Sequence, residues 1–182
     1  IIYNYKLEKE LLKPFKSDSI DLIYTSHCIE HIRFESASLL LKDVFRVLKK
    51  GGVFRIVVPD VDKLLYLYDA NKHDKDFKFY SNGARTHYSL KESILEIFGF
   101  NLNNKKFLDN SMHLSFYNIS SLSFYNISSL KLLLIAAGFN LFKVCTYGQS
   151  DIDEFKETTD KAPSGFDNPF NDHMSLYLEA IK

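Results

Sequence analysis

The chain has 182 residues, 46% of them hydrophobic, and a formal net charge of zero. That is enough apolar content for one sizeable core, and the neutral balance leaves no basic footprint for non-specific nucleic-acid binding. Two cysteines, Cys28 and Cys145, give neither a disulfide framework nor a CxxC motif, so a reducing cytoplasm is the expected compartment. The longest apolar run, Leu132 to Phe139, is too short to span a bilayer, and no signal peptide is visible. The first residue is Ile1 rather than methionine, which fits a fragment or a processed product.

Ile1 to Tyr5 reads as a strand, Leu7 to Leu12 as a short helix and Lys13 to Ser19 as a turn. Ile20 to Ser26 is short, apolar and β-rich, the pattern of a strand buried on both faces. A polar knuckle, His27-Cys28-Ile29-Glu30-His31, follows it. Ala37, Leu40, Leu41, Val44 and Leu48 then recur at helical spacing. Lys49 and Lys50 suit the negative end of that helix, and Gly51 suits a left-handed stop. Val53 to Val58 is a second buried strand. So short a return implies parallel strands, with Ser26, His27, Glu30, His31 and Asp60 on the carboxyl rim where ligands bind in such sheets. Pro59-Asp60 before an apolar-periodic run is a helix-start signal, so Asp60 is expected to cap a helix over Val61 to Asn71, with Leu64, Leu65 and Leu67 inward.

His73 to His87 is charged and irregular, Ser89 to Phe98 reads as a helix capped by Ser89, and Asn101 to Asn110 as a polar loop. An exact repeat follows: Leu114 to Ser121 and Leu122 to Ser129 both read LSFYNISS. Two copies do not make a solenoid. An in-frame duplication is the simpler reading, with one copy as an added turn or helical extension. Leu130 to Phe139 is helical, Asn140 to Tyr147 a strand, Gln149 to Asp172 a polar loop and Met174 to Ile181 the last strand.

The run from Asp21 to Asp60, "DLIYTSHCIEHI…LLKDVFRVLKKGGVFRIVVPD", resembles the fourth to fifth strands of class I S-adenosylmethionine-dependent methyltransferases. It is most similar to the methyltransferase type 11-like group with an "LEH" knuckle and "RVLKPGG" before the fifth strand. Lys50 stands where that pattern has proline. Leu12 to Asp21, His113 with the following Ser-Phe-Tyr, "LKLLLIAAGF" and the closing "SLYLEAIK" resemble further family segments in the same order. The resemblance implies an α/β, Rossmann-like sheet, mostly parallel with an antiparallel C-terminal strand pair and with its N-terminal strands missing. The family's acidic-x-Gly-x-Gly cofactor loop and the acidic ribose-binding position do not occur in these 182 residues. A truncated, longer native enzyme is therefore expected, because Ile20 to Ser26 would otherwise form an apolar edge. Residues 1–182 form a single methyltransferase-like domain on this reading, with an insertion at about 73–112. By resemblance the insertion shapes the acceptor pocket, with Tyr80, Arg85, His87 and Tyr88 as candidate contacts. An ordinary solvated lid is the plain alternative.

The activity so implied is S-adenosylmethionine-dependent methyl transfer to a small-molecule or glycan acceptor. Asn4, Thr25, Ser26 and His27 are the candidate cofactor contacts. His27, His31 and His113 are the candidate catalytic groups, since an imidazole suits removal of the acceptor's proton. His27, Glu30, His31 and His113 also resemble the Glu-x-x-Glu-His metal site of small-RNA 2′-O-methyltransferases and some quinone O-methyltransferases, with His27 in place of the first glutamate. That makes metal-assisted O-methyl transfer a further reading. Capping of the following helix by Glu30 and His31 is preferred to the metal. The rival from another class is a non-catalytic methyltransferase-like domain that binds a partner through its exposed edge.

Overall fold

The computed structural model describes residues 7–71, 73, 78–80, 87–89, 123, 125–160 and 175–182. Asn4, Arg85, His113, the first LSFYNISS copy and all of the helix expected over Ser89 to Phe98 except Ser89 lie outside them; Ser89 itself ends a strand rather than capping a helix. The elements run α1 (Leu7–Glu10), β1 (Ile20–Ser26), a 3-10 turn (Ile29–His31), α2 (Phe34–Val47), β2 (Leu48–Pro59), α3 (Val61–Asn71), β3 (Lys78–Tyr80), β4 (His87–Ser89), α4 (Ile127–Ala137), β5 (Leu141–Cys145), α5 (Asp153–Asp160) and β6 (Ser175–Ile181). One sheet has the order β1-β2-β6-β5, and β3 with β4 forms a separate hairpin within the expected insertion. β1 is parallel to β2, while β6 runs antiparallel to both β2 and β5. Three of the four strands thus share a direction and the last reverses it, as expected for a mixed α/β sheet with an antiparallel C-terminal pair.

Alternation along the strands divides the sheet into two faces. Phe54, Ile56, Val58, Leu176, Leu178 and Ala180 join the apolar stripe of α2 and Leu130, Leu133 and Leu134 of α4 in one core. Gly138 ends α4 at φ 119°, and a side chain there would meet the Phe45 ring at 2.9 Å. The opposite face carries a charge pair. Arg55 on β2 is 0% exposed and donates to Glu179 of β6 at 2.7 Å and to Gln149 O at 3.1 Å. Ser150 also donates to Glu179, at 2.6 Å.

Several local expectations change in the folded chain. α2 stops at Val47, not at Lys49–Lys50, and Gly51 is no helix cap. Gly51 has φ 79° within β2, where the pairing jumps from Ile20–Leu48 to Leu22–Val53. This bulge needs a left-handed residue for the same reason a helix stop does. The helix end is instead served from the far terminus: Lys182 Nζ donates to Leu48 O at 2.7 Å and Arg46 O at 3.3 Å. β1 is half-buried along its length rather than buried on both faces, consistent with its place at the edge of the described sheet. Leu65 is 51% exposed while Leu64 is buried, so α3 turns a narrower apolar side inward than its leucines imply. The polar loop expected after Gln149 contains α5. Its buried Phe155 lies 6.3 Å from the Tyr24 ring, and Ser150 Oγ accepts from Ile152 N just before the helix.

Candidate active site

The site is built where β1 and β2 end together. Ser26 pairs with Val57, and the next residue, His27, still donates its backbone N–H to Val57 O at 2.9 Å. His27 then adopts φ 46°, a left-handed conformation that a side chain disfavours. This turn takes the chain off the sheet into the 3-10 turn. The His27 ring has a polar neighbour on each nitrogen: Nδ1 is 3.4 Å from Glu30 Oε1, and Nε2 is 3.2 Å from Ser175 Oγ at the start of β6. The same Glu30 oxygen is 3.4 Å from His31 Nε2, and the Glu30 side chain is only 2% exposed. Three of the residues expected at the rim, His27, Glu30 and His31, are therefore brought together, with Thr25 and Ser26 closing β1 beside them.

The charge of Glu30 reaches its neighbours. The Cys28 thiol is pushed up chiefly by burial; a hydrogen bond with Thr25 lowers it and the Glu30 charge raises it further. Tyr125, in the second LSFYNISS copy, is also pushed up by burial first, held back by the Ser123 hydroxyl and raised again by Glu30. Backbone bonds fasten that copy to the rim, with Ser123 N donating to Glu30 O at 2.8 Å and Val61 N to Tyr125 O at 2.9 Å. Asn126 and Ser129 then close a reciprocal capping box at the start of α4.

At the end of β2, Asp60 accepts from Asp62 N at 3.1 Å, the helix-capping role expected of it. By contrast, Glu30 and His31 do not cap α2. Its N-cap is Arg33, with no side-chain capping bond, and the Glu30 carboxylate is turned into the fold toward the two imidazoles. Among the described residues no group of three or more His, Cys, Asp or Glu side chains is arranged to hold a metal ion. Two rim residues had not been singled out from the sequence. Ser175 reaches His27 because β6 starts opposite Pro59, and Lys63 Nζ donates to Ser175 O at 2.8 Å. The only advance signal for Ser175 was that an antiparallel last strand must begin where β2 ends.

The family described as a methyltransferase domain matches residues 4–144. The chain belongs to the class I S-adenosylmethionine-dependent methyltransferases. No curated protein matches it significantly by sequence. Among solved structures, the chain is similar to a SAM-dependent methyltransferase from Archaeoglobus fulgidus, at 13% identity and TM-score 0.49, over 99% of this chain and 66% of that one. It is similar to a protein from Thermotoga maritima described as a SAM-dependent methyltransferase, possible histamine N-methyltransferase, at 17% identity and TM-score 0.46, over 93% and 59% of the two chains. A third is phosphoethanolamine N-methyltransferase 2 of Haemonchus contortus, in complex with S-adenosyl-L-methionine, at 16% identity and TM-score 0.40, over 92% and 34%. The chain thus spans less than two thirds of the length of these proteins.

S-adenosylmethionine is the family's cofactor. Thr25, Ser26 and the His27 ring supply polar groups at the carboxyl end of β1, where the resemblance places the methyl-bearing side. The adenosine end finds no counterpart among the described residues: none of their glycines lies in an acidic-x-Gly-x-Gly loop.

Proposed function

We propose that this methyltransferase contributes the acceptor-side half of a site that methylates a small molecule or a glycan, within a longer native chain. The observation that supports it is the His27 ring, held on a left-handed backbone at the carboxyl end of the parallel pair. When bound, S-adenosylmethionine supplies a methyl group already activated on a sulfonium. The task left to the protein is to align the acceptor and take its proton. His27 is placed for the second task, with His31 and His113 as the other imidazoles of the proposal. Residues 73–112 are proposed as an insertion, in a single domain over 1–182, that shapes the acceptor pocket.

Calorimetry with S-adenosylmethionine tests the cofactor half of this reading. The 182-residue chain should bind weakly or not at all, because the glycine loop does not occur in it. Micromolar affinity would place the cofactor site elsewhere. In the full-length enzyme, His113→Ala should lower turnover more than cofactor binding, and unchanged turnover would remove His113 from the site. Chelator sensitivity would favour metal-assisted O-methyl transfer through His27, Glu30, His31 and His113; insensitivity leaves the imidazole as proton acceptor.

A further inference from the structure

The two nitrogens of His27 have different neighbours, and that difference assigns a role to Glu30. A neutral imidazole carries one N–H and one lone pair. At Nδ1 the neighbour is a carboxylate oxygen 3.4 Å away, on a side chain 2% exposed. A lone pair facing that oxygen would set two negative groups against each other where water does not screen them, whereas an N–H is attracted to it. At Nε2 the neighbour is the Ser175 hydroxyl at 3.2 Å, which can rotate to donate or accept. The carboxylate therefore decides the tautomer and the hydroxyl follows. The same reasoning places the proton of His31 on Nε2, the nitrogen that faces Glu30.

Three features support a dedicated role for this carboxylate. Neither Glu30 oxygen has an aligned hydrogen-bond donor among the described residues, so no helix cap or backbone amide accounts for its burial. A buried carboxylate without such donors is costly, and the polar groups closest to it are the two imidazole edges at 3.4 Å. His27 keeps a left-handed backbone, a conformation that costs about 1–3 kcal/mol and that clusters at functional sites. The nearby cation, Lys63, engages the Ser175 carbonyl at 2.8 Å, on the backbone side of the residue whose hydroxyl meets the ring.

We infer that Glu30 is a positioning residue: it holds His27 in the tautomer whose Nε2 is the proton acceptor at the rim, and the Ser175 hydroxyl occupies that acceptor. An incoming acceptor hydroxyl or amine takes Ser175's place at Nε2. The inference rests on the proposed methyl transfer for the use of the proton acceptor, but the tautomer itself is measurable without any reaction.

The experiment is a long-range nitrogen–proton NMR correlation of the histidine rings in the nitrogen-15-labelled chain, well above the ordinary imidazole range of pKa. His27→Asn identifies the signals. His27 should be predominantly the Nδ1–H form in the wild type, and Ser175→Ala should leave that form predominant. Glu30→Gln should lower the ratio of Nδ1–H to Nε2–H severalfold, because it removes the negative charge 3.4 Å from Nδ1. A wild-type ring that is mainly Nε2–H overturns the inference, as does an unchanged ratio in Glu30→Gln. If Glu30→Gln does not fold, the wild-type and Ser175→Ala spectra decide. Cofactor binding by the full-length enzyme is measured separately. The expected tautomer with no binding there would sink the methyl-transfer reading while leaving the role of Glu30 intact.

Discussion

The Arg55–Glu179 pair gives the most exacting test of how this sheet is held. Arg55 is 0% exposed and Glu179 3%, and they lie opposite each other on neighbouring antiparallel strands. Replacing one partner leaves the other charge buried and uncompensated, at about 3–5 kcal/mol. In a chain of 182 residues each kcal/mol moves Tm by roughly 2–4 °C, so a single replacement should lower it by about 6–20 °C. The two singles should not be equal. After Arg55→Met, Glu179 keeps the Ser150 hydroxyl at 2.6 Å and can shed its charge by binding a proton. After Glu179→Leu, Arg55 keeps the Gln149 carbonyl at 3.1 Å and the Tyr177 ring at 5.6 Å, but a guanidinium cannot give up its charge. Glu179→Leu should therefore cost more. The double variant should return to within about 1–2 kcal/mol of the wild type, since a matched apolar pair leaves no orphaned charge. Thermal and urea denaturation of the four proteins measure this cycle. Additive losses in the double variant, or a Glu179→Leu loss under about 1 kcal/mol, would refute the claim that the pair is closed off from water.

Deleting Leu114 to Ser121 should preserve the fold, because the second copy already supplies Tyr125, Asn126 and Ser129 to the rim and to α4; a large drop in Tm would mean that the first copy is packed as well. Gly52→Ala should destabilise by about 1–3 kcal/mol, since a Cβ there meets Asp21 O and Lys49 O at 2.9 Å, whereas Gly51→Ala meets no atom within 4 Å and should cost only the left-handed strain of roughly 1–2 kcal/mol; denaturant midpoints compare the two. For Asp43, burial alone would raise the carboxyl pKa, but the Arg46 guanidinium and the Leu12 amide outweigh it and hold the pKa below the ordinary range. A depressed folded pKa stabilises above the unfolded value of about 3.9 and is lost as pH falls through the folded one. The stability gap between wild type and Asp43→Asn should therefore be constant at neutral pH and close in acid, and a gap independent of pH would remove that linkage.

What the sequence alone determined is what short-range pattern can encode. The bounds of β1, the apolar stripe of α2, the buried run Val53 to Val58 of β2, the Asp60 cap and most of α4, read as Leu130 to Phe139 and found as Ile127–Ala137, all follow from side-chain period and turn chemistry within a dozen residues. The family was legible for the same reason, since its motifs are local strings. The knuckle was legible as a cluster, because His27, Glu30 and His31 are close in the chain; which nitrogen faces which oxygen was not. Tertiary structure decided the rest. Arg55 reads as an odd charge in a buried strand until Glu179, 124 residues on, is set opposite it by antiparallel register. Ser175 meets His27 across 148 residues, and Lys182 reaches the end of α2 across 134 and 136. Gly51 looked like a helix stop because a bulge and a helix cap ask the same left-handed φ of a residue, and only the pairing of β1 with β2 distinguishes them. α5 was hidden in a polar stretch because one buried aromatic, Phe155, anchors it, and a single apolar residue has no period to detect.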